Sequence, residues 1–168
     1  MLSSDSGVCR EIGWQVMKIA IGSDHRGFPL KEKLIPFLRK SGFEVADLGT
    51  HRGRSPSDYP DIAVKLARRV AGGAFDRGIL ICGTGIGMSI AANKIRGIRA
   101  ARCVTRRDAL LSREHNDANV LTFGGMTTSF EAAKEIVSVW LKTDAEGGRH
   151  RRRIRKIEKV ERGLVKGE

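Results

Sequence analysis

The chain predicts an α/β domain: an open, mostly parallel sheet of five strands with helices on both faces. Three observations carry this. Short β-rich runs alternate with helical stretches from residue 17 onward. Glycines close or follow the first, third and fifth runs, at Gly22, Gly83 and Gly124. The 168 residues, 40% hydrophobic and 30% charged, suit one soluble globular core.

Residues 17–23, MKIAIGS, form the first strand, and Asp24-His25-Arg26-Gly27 follow it. Residues 30–40 read as a helix with Leu30, Leu34, Phe37 and Leu38 on one face. Pro36 inside it should kink or shorten it. A second strand covers 43–48 and a polar loop 49–57. Asp58 then caps a helix to about Val70, with Pro60 tolerated in its first turn and Gly72-Gly73 closing it. The third strand is 79–82, followed by a helix over 86–95. The fourth is 98–104, followed by a helix over 106–114 that stops near His115-Asn116. The fifth is 120–123, ending at Gly124-Gly125. Thr128-x-x-Glu131 has capping-box spacing and opens a helix that turns Ala133, Val137, Trp140 and Leu141 inward. After Gly147-Gly148, a basic helix carries Ile154, Ile157, Val160 and Leu164 on one stripe.

Three segments result. Residues 1–16 are polar and unpatterned, a disordered leader without the basic start and apolar centre of a secretion signal. Residues 17–148 are the α/β domain. Residues 149–168 form a basic helix and tail, part of the same domain or packed on a partner subunit. No apolar run approaches membrane-spanning length.

The stretch ILICGTGIGMSIAANK, residues 79–94, carries the strongest chemical signal. It puts a thiol, Cys82, at the tip of a buried strand, facing glycine amides where a helix begins. Such a turn brings backbone N–H groups close to a ligand and favours negative charge. Buried cysteines are commonly inert and glycine-rich turns commonly only tighten a connection, so this pattern alone leaves both readings open. The loop lacks the third glycine of G-x-G-x-x-G and holds no phosphate-loop lysine, so a dinucleotide is not indicated.

Net charge is +12, and residues 149–168 carry nine Lys/Arg against three Asp/Glu. A basic tail raises nucleic acid as a partner. An aromatic content of 5% argues against a base-stacking platform, and a phosphorylated metabolite accounts equally well for local arginines. The cysteines (Cys9, Cys82, Cys103) show no C-x-x-C, and the histidines no metal-ligand spacing. Reduced thiols in a cytoplasmic protein without a metal are expected. Ligands of parallel sheets sit beyond the carboxyl ends of the strands, where Asp24, His25 and Cys82 fall. His115 and Asn116 instead enter the fifth strand, so one subunit does not bring them to that edge.

Five motifs then occur in order: G-x-D-H-x-G-F over 22–28, D-Y-P over 58–60, I-C-G-T-G-I-G-x-S-I-A-A-N-K over 81–94, R-x-H-N-D over 113–117 and E-G-G-R-H over 146–150. Together they resemble the ribose-5-phosphate isomerase B family, which includes allose-6-phosphate and galactose-6-phosphate isomerases. The resemblance runs from Met17 to about Arg162. It implies a Rossmann-like three-layer α/β/α sandwich, interconversion of an aldose phosphate with its ketose, and no metal or organic cofactor. It also implies a homodimer with active sites across its interface, a tetramer being left open.

Moving a carbonyl between C1 and C2 needs a base that shuttles a proton through a cis-enediol, and donors for the enediolate oxygen. By resemblance Cys82 is the base. The amides of Gly83, Gly85 and Gly87, with Thr84 and Ser89, hold the developing charge. His115 and Asp24 open the sugar ring, Asn116 and Tyr59 orient hydroxyls, and His25, Arg149 and Arg153 bind phosphate. Each has a plainer reading: Asp24 as a helix cap, His115 as a helix terminator, Tyr59 as packing, the basic helix as a solvated face. Their joint occurrence in order favours the site. Many members carry an arginine at the position of Met126, and Arg106, Arg107 or the tail arginines are the expected replacements. Ribose 5-phosphate is the first substrate expected. A six-carbon 6-phosphate or a tetrulose phosphate is the alternative, and a nucleotide or nucleic-acid module the remote one.

Overall fold

A computed structural model describes residues 16–53 and 56–164. The leader expected over 1–16 lies outside them but for Val16, as does the end of the tail. The elements run β1 (Lys18–Ser23), α1 (Phe28–Lys40), β2 (Glu44–Asp47), α2 (Tyr59–Ala71), β3 (Arg77–Cys82), α3 (Ile86–Ala92), β4 (Ala100–Arg102), α4 (Arg106–Asn116), β5 (Val120–Gly124), α5 (Phe130–Lys142) and α6 (Gly148–Glu161). The five strands form one sheet in the order β2-β1-β3-β5-β4, and every pairing is parallel.

Both faces of the sheet are buried, as a parallel sheet requires. Side chains alternate along each strand. Ile19, Ile21, Ile79, Ile81, Leu121 and Phe123 face α1 and α5 with Leu34, Leu38, Val137 and Trp140. Ala20, Leu80, Cys82 and Val120 face α2 and α3 with Ile62, Leu66, Met88 and Ala92. No helix among the described residues is long and apolar enough to cross a membrane.

Several boundaries differ from expectation, each for a local reason. α1 runs through Pro36 to Lys40. Pro36 and Glu32, whose carbonyl loses its partner, are both exposed, while buried Leu34, Ile35 and Leu38 hold the helix to the sheet. α3 stops at Ala92 because the Asn93 side chain takes over the backbone groups of Ala100, accepting its N–H at 2.8 Å and donating to its carbonyl at 2.9 Å. That bridge leads directly into β4, which is shorter than expected. The capping box is at Thr105 and Asp108, not at Thr128 and Glu131. α5 is capped one residue later, by Ser129, whose hydroxyl accepts from Ala132 N–H at 3.2 Å. Asp58 occupies the N-cap of α2 without a side-chain hydrogen bond. Of the expected α6 stripe only Ile154 is covered; Ile157 and Val160 are exposed, and Leu164 is exposed beyond the end of the helix at Glu161.

Cys103 is fully buried beside Ser112, and burial pushes its thiol up to about 11. A raised thiol stabilises the fold only while unfolded chains keep the same proton. The unfolded chain ionises first, so this stability is present below pH 9 and drains away towards pH 11. Unfolding free energies from urea titrations are expected to fall over that window by roughly 2 kcal/mol more in the parent than in Cys103→Ala.

Candidate active site

β1 and β3 are neighbours, and the chain leaves their carboxyl ends towards opposite sides of the sheet, which opens a crevice there. Cys82 ends β3 and is 5% exposed. Gly85 N–H donates to its Sγ at 3.1 Å. Gly85 sits at φ +77°, and a Cβ there would come within 2.6 Å of the Phe123 backbone. Only glycine lets the turn fold back over the thiol. Gly125 N–H donates to the Cys82 carbonyl at 2.7 Å and Met126 N–H to that of Gly83 at 3.2 Å, so the loops after β3 and β5 are laced together.

The loop after β1 closes the other side. Asp24 is 5% exposed, and its Oδ1 accepts from Arg26 N–H and Gly27 N–H at 2.9 Å each. It therefore shapes the turn before α1, while Gly27 holds the N-cap position. His25 is fixed against Ser57, donating its N–H to Oγ at 3.2 Å and accepting Ser57 N–H on Nδ1 at 3.4 Å. Tyr59 opens α2 and lays its ring on Gly87, where a Cβ would stand 2.5 Å from it. Thr84 is exposed at the rim, and Ile86 N–H reaches its Oγ1 at 3.4 Å. The Ser89 hydroxyl donates to the Ala100 carbonyl at 3.3 Å, which turns it towards β4.

The remaining expected residues assemble elsewhere. His115 and Asn116 occupy the last turn of α4, which leads back to the amino end of β5, and α6 brings Arg149 and Arg153 to that side. This is the sheet edge opposite Cys82. Arg113 and Asp117, which flank the pair in the motif, hold this turn in place. Asp117 is left-handed at φ 45°, and its carboxylate meets Arg113 at 2.7 Å and Arg99 at 3.1 Å. Arg113 is buried and also donates to the Ala118 and Thr143 carbonyls.

Sequence reasoning assigned nothing to His150, yet its ring stacks on that of His115 at 4.1 Å, with 3° between the planes. Arg149 Nε donates to His150 Nε2 at 3.2 Å, and a Glu146 oxygen lies 3.3 Å from the same atom. Burial, followed by the charges of His115 and Arg149, lowers the His150 pKa, so the neutral ring is favoured. Donor atoms of His115, Glu146 and His150 lie within 4.8 Å of one another. Two imidazoles and a carboxylate are a zinc-type set. Parallel stacked rings do not aim their in-plane lone pairs at one point, however, and Arg149 already uses one of them. A metal would have to turn the rings apart.

Arg26 is the other residue missed. Its Nη1 lies 3.6 Å from Met126 Sδ. Of the expected stand-ins, Arg106 lines a groove with Phe37, Glu131 and Lys134 on the α1–α5 side. Arg102 donates its Nε to the Thr84 carbonyl at 2.8 Å.

Comparison with known proteins agrees with this geometry. The sequence model of the ribose/galactose isomerase family matches residues 19–157. Ribose-5-phosphate isomerase B of Escherichia coli is 51% identical over 144 residues, 86% of this chain and 96% of that one. D-erythrulose-4-phosphate isomerase of Pectobacterium atrosepticum is 40% identical over 142 residues, 84% of this chain and 93% of that one. The structure of Clostridium thermocellum ribose-5-phosphate isomerase B superposes with a TM-score of 0.86 at 51% identity, covering 89% of this chain and all of the other. A thiol cradled at the switch point of a parallel sheet, with relatives this similar over nearly their whole length, has one consistent reading: the chain belongs to the ribose/galactose isomerase family.

Proposed function

We propose that the chain interconverts ribose 5-phosphate and ribulose 5-phosphate through a cis-enediol, with Cys82 as the base. The observation that carries this is Cys82 Sγ held at 3.1 Å by Gly85 N–H in the loop beyond β3. As thiolate, Cys82 takes the proton from C2 of the open-chain aldose. The electron pair forms the C1–C2 double bond, and O1 becomes the enediolate oxygen beside the amides of Gly83, Gly85 and Gly87 and the Thr84 hydroxyl. A proton moves from O2 to O1 and the Cys82 proton returns to C1, giving the ketose. Only protons change place, so the reading calls for no metal or organic cofactor.

Ring opening needs an acid and a base at the ring oxygen and the C1 hydroxyl. Asp24 is beside Cys82, and His115 is at the other edge of the subunit, as are Asn116, Arg149 and Arg153. A site completed by a second copy resolves this. Ile86 and Ile90 on α3, with Ile157 and Val160 on α6 and Leu164 just beyond it, present exposed apolar surface for such a homodimer. His25 from the first copy and Arg149 and Arg153 from the second then hold phosphate, with Tyr59, Ser89 and Asn116 at the hydroxyls. The free thiols Cys82 and Cys103 fit a reducing cytoplasm.

Conversion of ribose 5-phosphate by the purified protein in the presence of EDTA tests the reading. The relative that acts on D-erythrulose 4-phosphate supports a four-carbon substrate as the second reading. A panel of four-, five- and six-carbon aldose phosphates decides, and a higher kcat/KM on either other length sinks the pentose assignment. Arg149→Ala is expected to raise KM about tenfold or more with little change in kcat, as loss of a charged phosphate contact would. An unchanged KM removes Arg149 from the phosphate group.

A further inference from the structure

We propose that Arg26 is a ligand of the substrate phosphate, with Met126 as the surface that steadies its guanidinium. This rests on the sugar-phosphate reading above and adds to it a residue that none of the motif roles included.

The backbone of Arg26 is held from two sides. Its N–H donates to Asp24 Oδ1 at 2.9 Å, and its carbonyl abuts Gly125, where a Cβ would come within 2.9 Å. The side chain then crosses Gly83, the residue next to Cys82. A Cβ on Gly83 would stand 3.2 Å from Arg26 Cδ and 3.3 Å from Met126 Sδ. The absence of that atom is what lets the arginine stem and the thioether lie side by side over the loop. Nη1 ends 3.6 Å from Sδ, a contact with a soft, uncharged atom that leaves the positive charge unspent.

No carboxylate lies within ion-pairing distance of Arg26 among the described residues. Its other guanidinium donors have no protein acceptor there either. Of the neighbouring cations, Arg102 already commits its Nε to the Thr84 carbonyl, and Arg149 and Arg153 reach this edge only from a second copy. A permanently charged planar fork with free donors, set beside the residues that would meet the reacting carbons, is suited to grip a dianion in two places. In this arrangement Arg26 serves the phosphate from the same chain as Cys82, complementing arginines supplied by the second copy.

The test uses Arg26→Ala, Met126→Arg and the double variant, with two readouts. Calorimetry gives the Kd for inorganic phosphate, and steady-state kinetics give KM and kcat on whichever sugar phosphate the parent isomerises. Arg26→Ala is expected to raise both the phosphate Kd and KM about tenfold while kcat stays within about threefold. Because the two side chains already touch, an arginine at 126 reaches the same space, so the double variant should recover most of the lost affinity. A phosphate Kd within twofold of the parent in Arg26→Ala overturns the proposal, as does a fall in kcat alone. If the parent binds phosphate but isomerises no sugar phosphate, the functional reading fails. The phosphate Kd then still decides Arg26.

Discussion

Cys82→Ser will give a folded protein that isomerises sugar phosphate about a thousandfold more slowly than the parent, or worse, while binding inorganic phosphate as before. The substitution is nearly isosteric and keeps an acceptor for Gly85 N–H, now 3.1 Å from the sulfur. What it removes is a thiol, by its chemistry a far stronger acid than the hydroxyl that replaces it. A serine hydroxyl in the same turn would need a base to ionise it, and the Asp24 carboxylate on this edge spends Oδ1 on two backbone N–H groups. Initial rates together with a thermal melt check this. Retention of more than a tenth of the activity would show that Cys82 is not the base. A collapsed melting temperature would make it structural.

Mixing two inactive variants will restore activity. Cys82→Ser and His115→Ala should each be nearly dead as homodimers, because every site lacks either the base or the ring-opening acid. If Cys82 and His115 in one site come from different copies, a mixed dimer carries one site with both groups intact and one with neither. Random exchange makes half of the dimers mixed, so about a quarter of the parental activity is expected after co-refolding. The physical basis is the direction of the strands. In an all-parallel sheet the residues that leave β3 and those that enter β5 are separated by the length of the strands. Mixed dimers formed in the expected proportion but without activity would place the whole site in one chain, or would make His115 dispensable.

That His115 and Asn116 emerge at the sheet edge opposite Cys82 was legible in the sequence, since they precede the fifth strand while Cys82 ends the third. So were the sheet, the number of strands and the glycine loop, because hydrophobic periodicity and glycine position are local properties. Cap assignment was ambiguous. Thr128 and Ser129 both have cap chemistry, and only the approach of Ala132 N–H to Ser129 decides between them. The stripe on α6 shows the same limit. Ile157 and Val160 repeat with the helix and ask to be covered, but periodicity does not say by what, and this subunit leaves both exposed.

By itself, then, the sequence determined the order of elements, the sheet edge on which each polar group emerges and the thiol-and-glycine turn on which the proposed chemistry rests. These follow from backbone preferences acting over a few residues. The contacts between side chains of distant elements needed the tertiary structure. Arg26 meets Met126 across 100 residues, and His150 stacks on His115 only because α6 packs against α4. Such pairs have no spacing rule, because the distance between two side chains on different elements is set by how helices settle on the sheet.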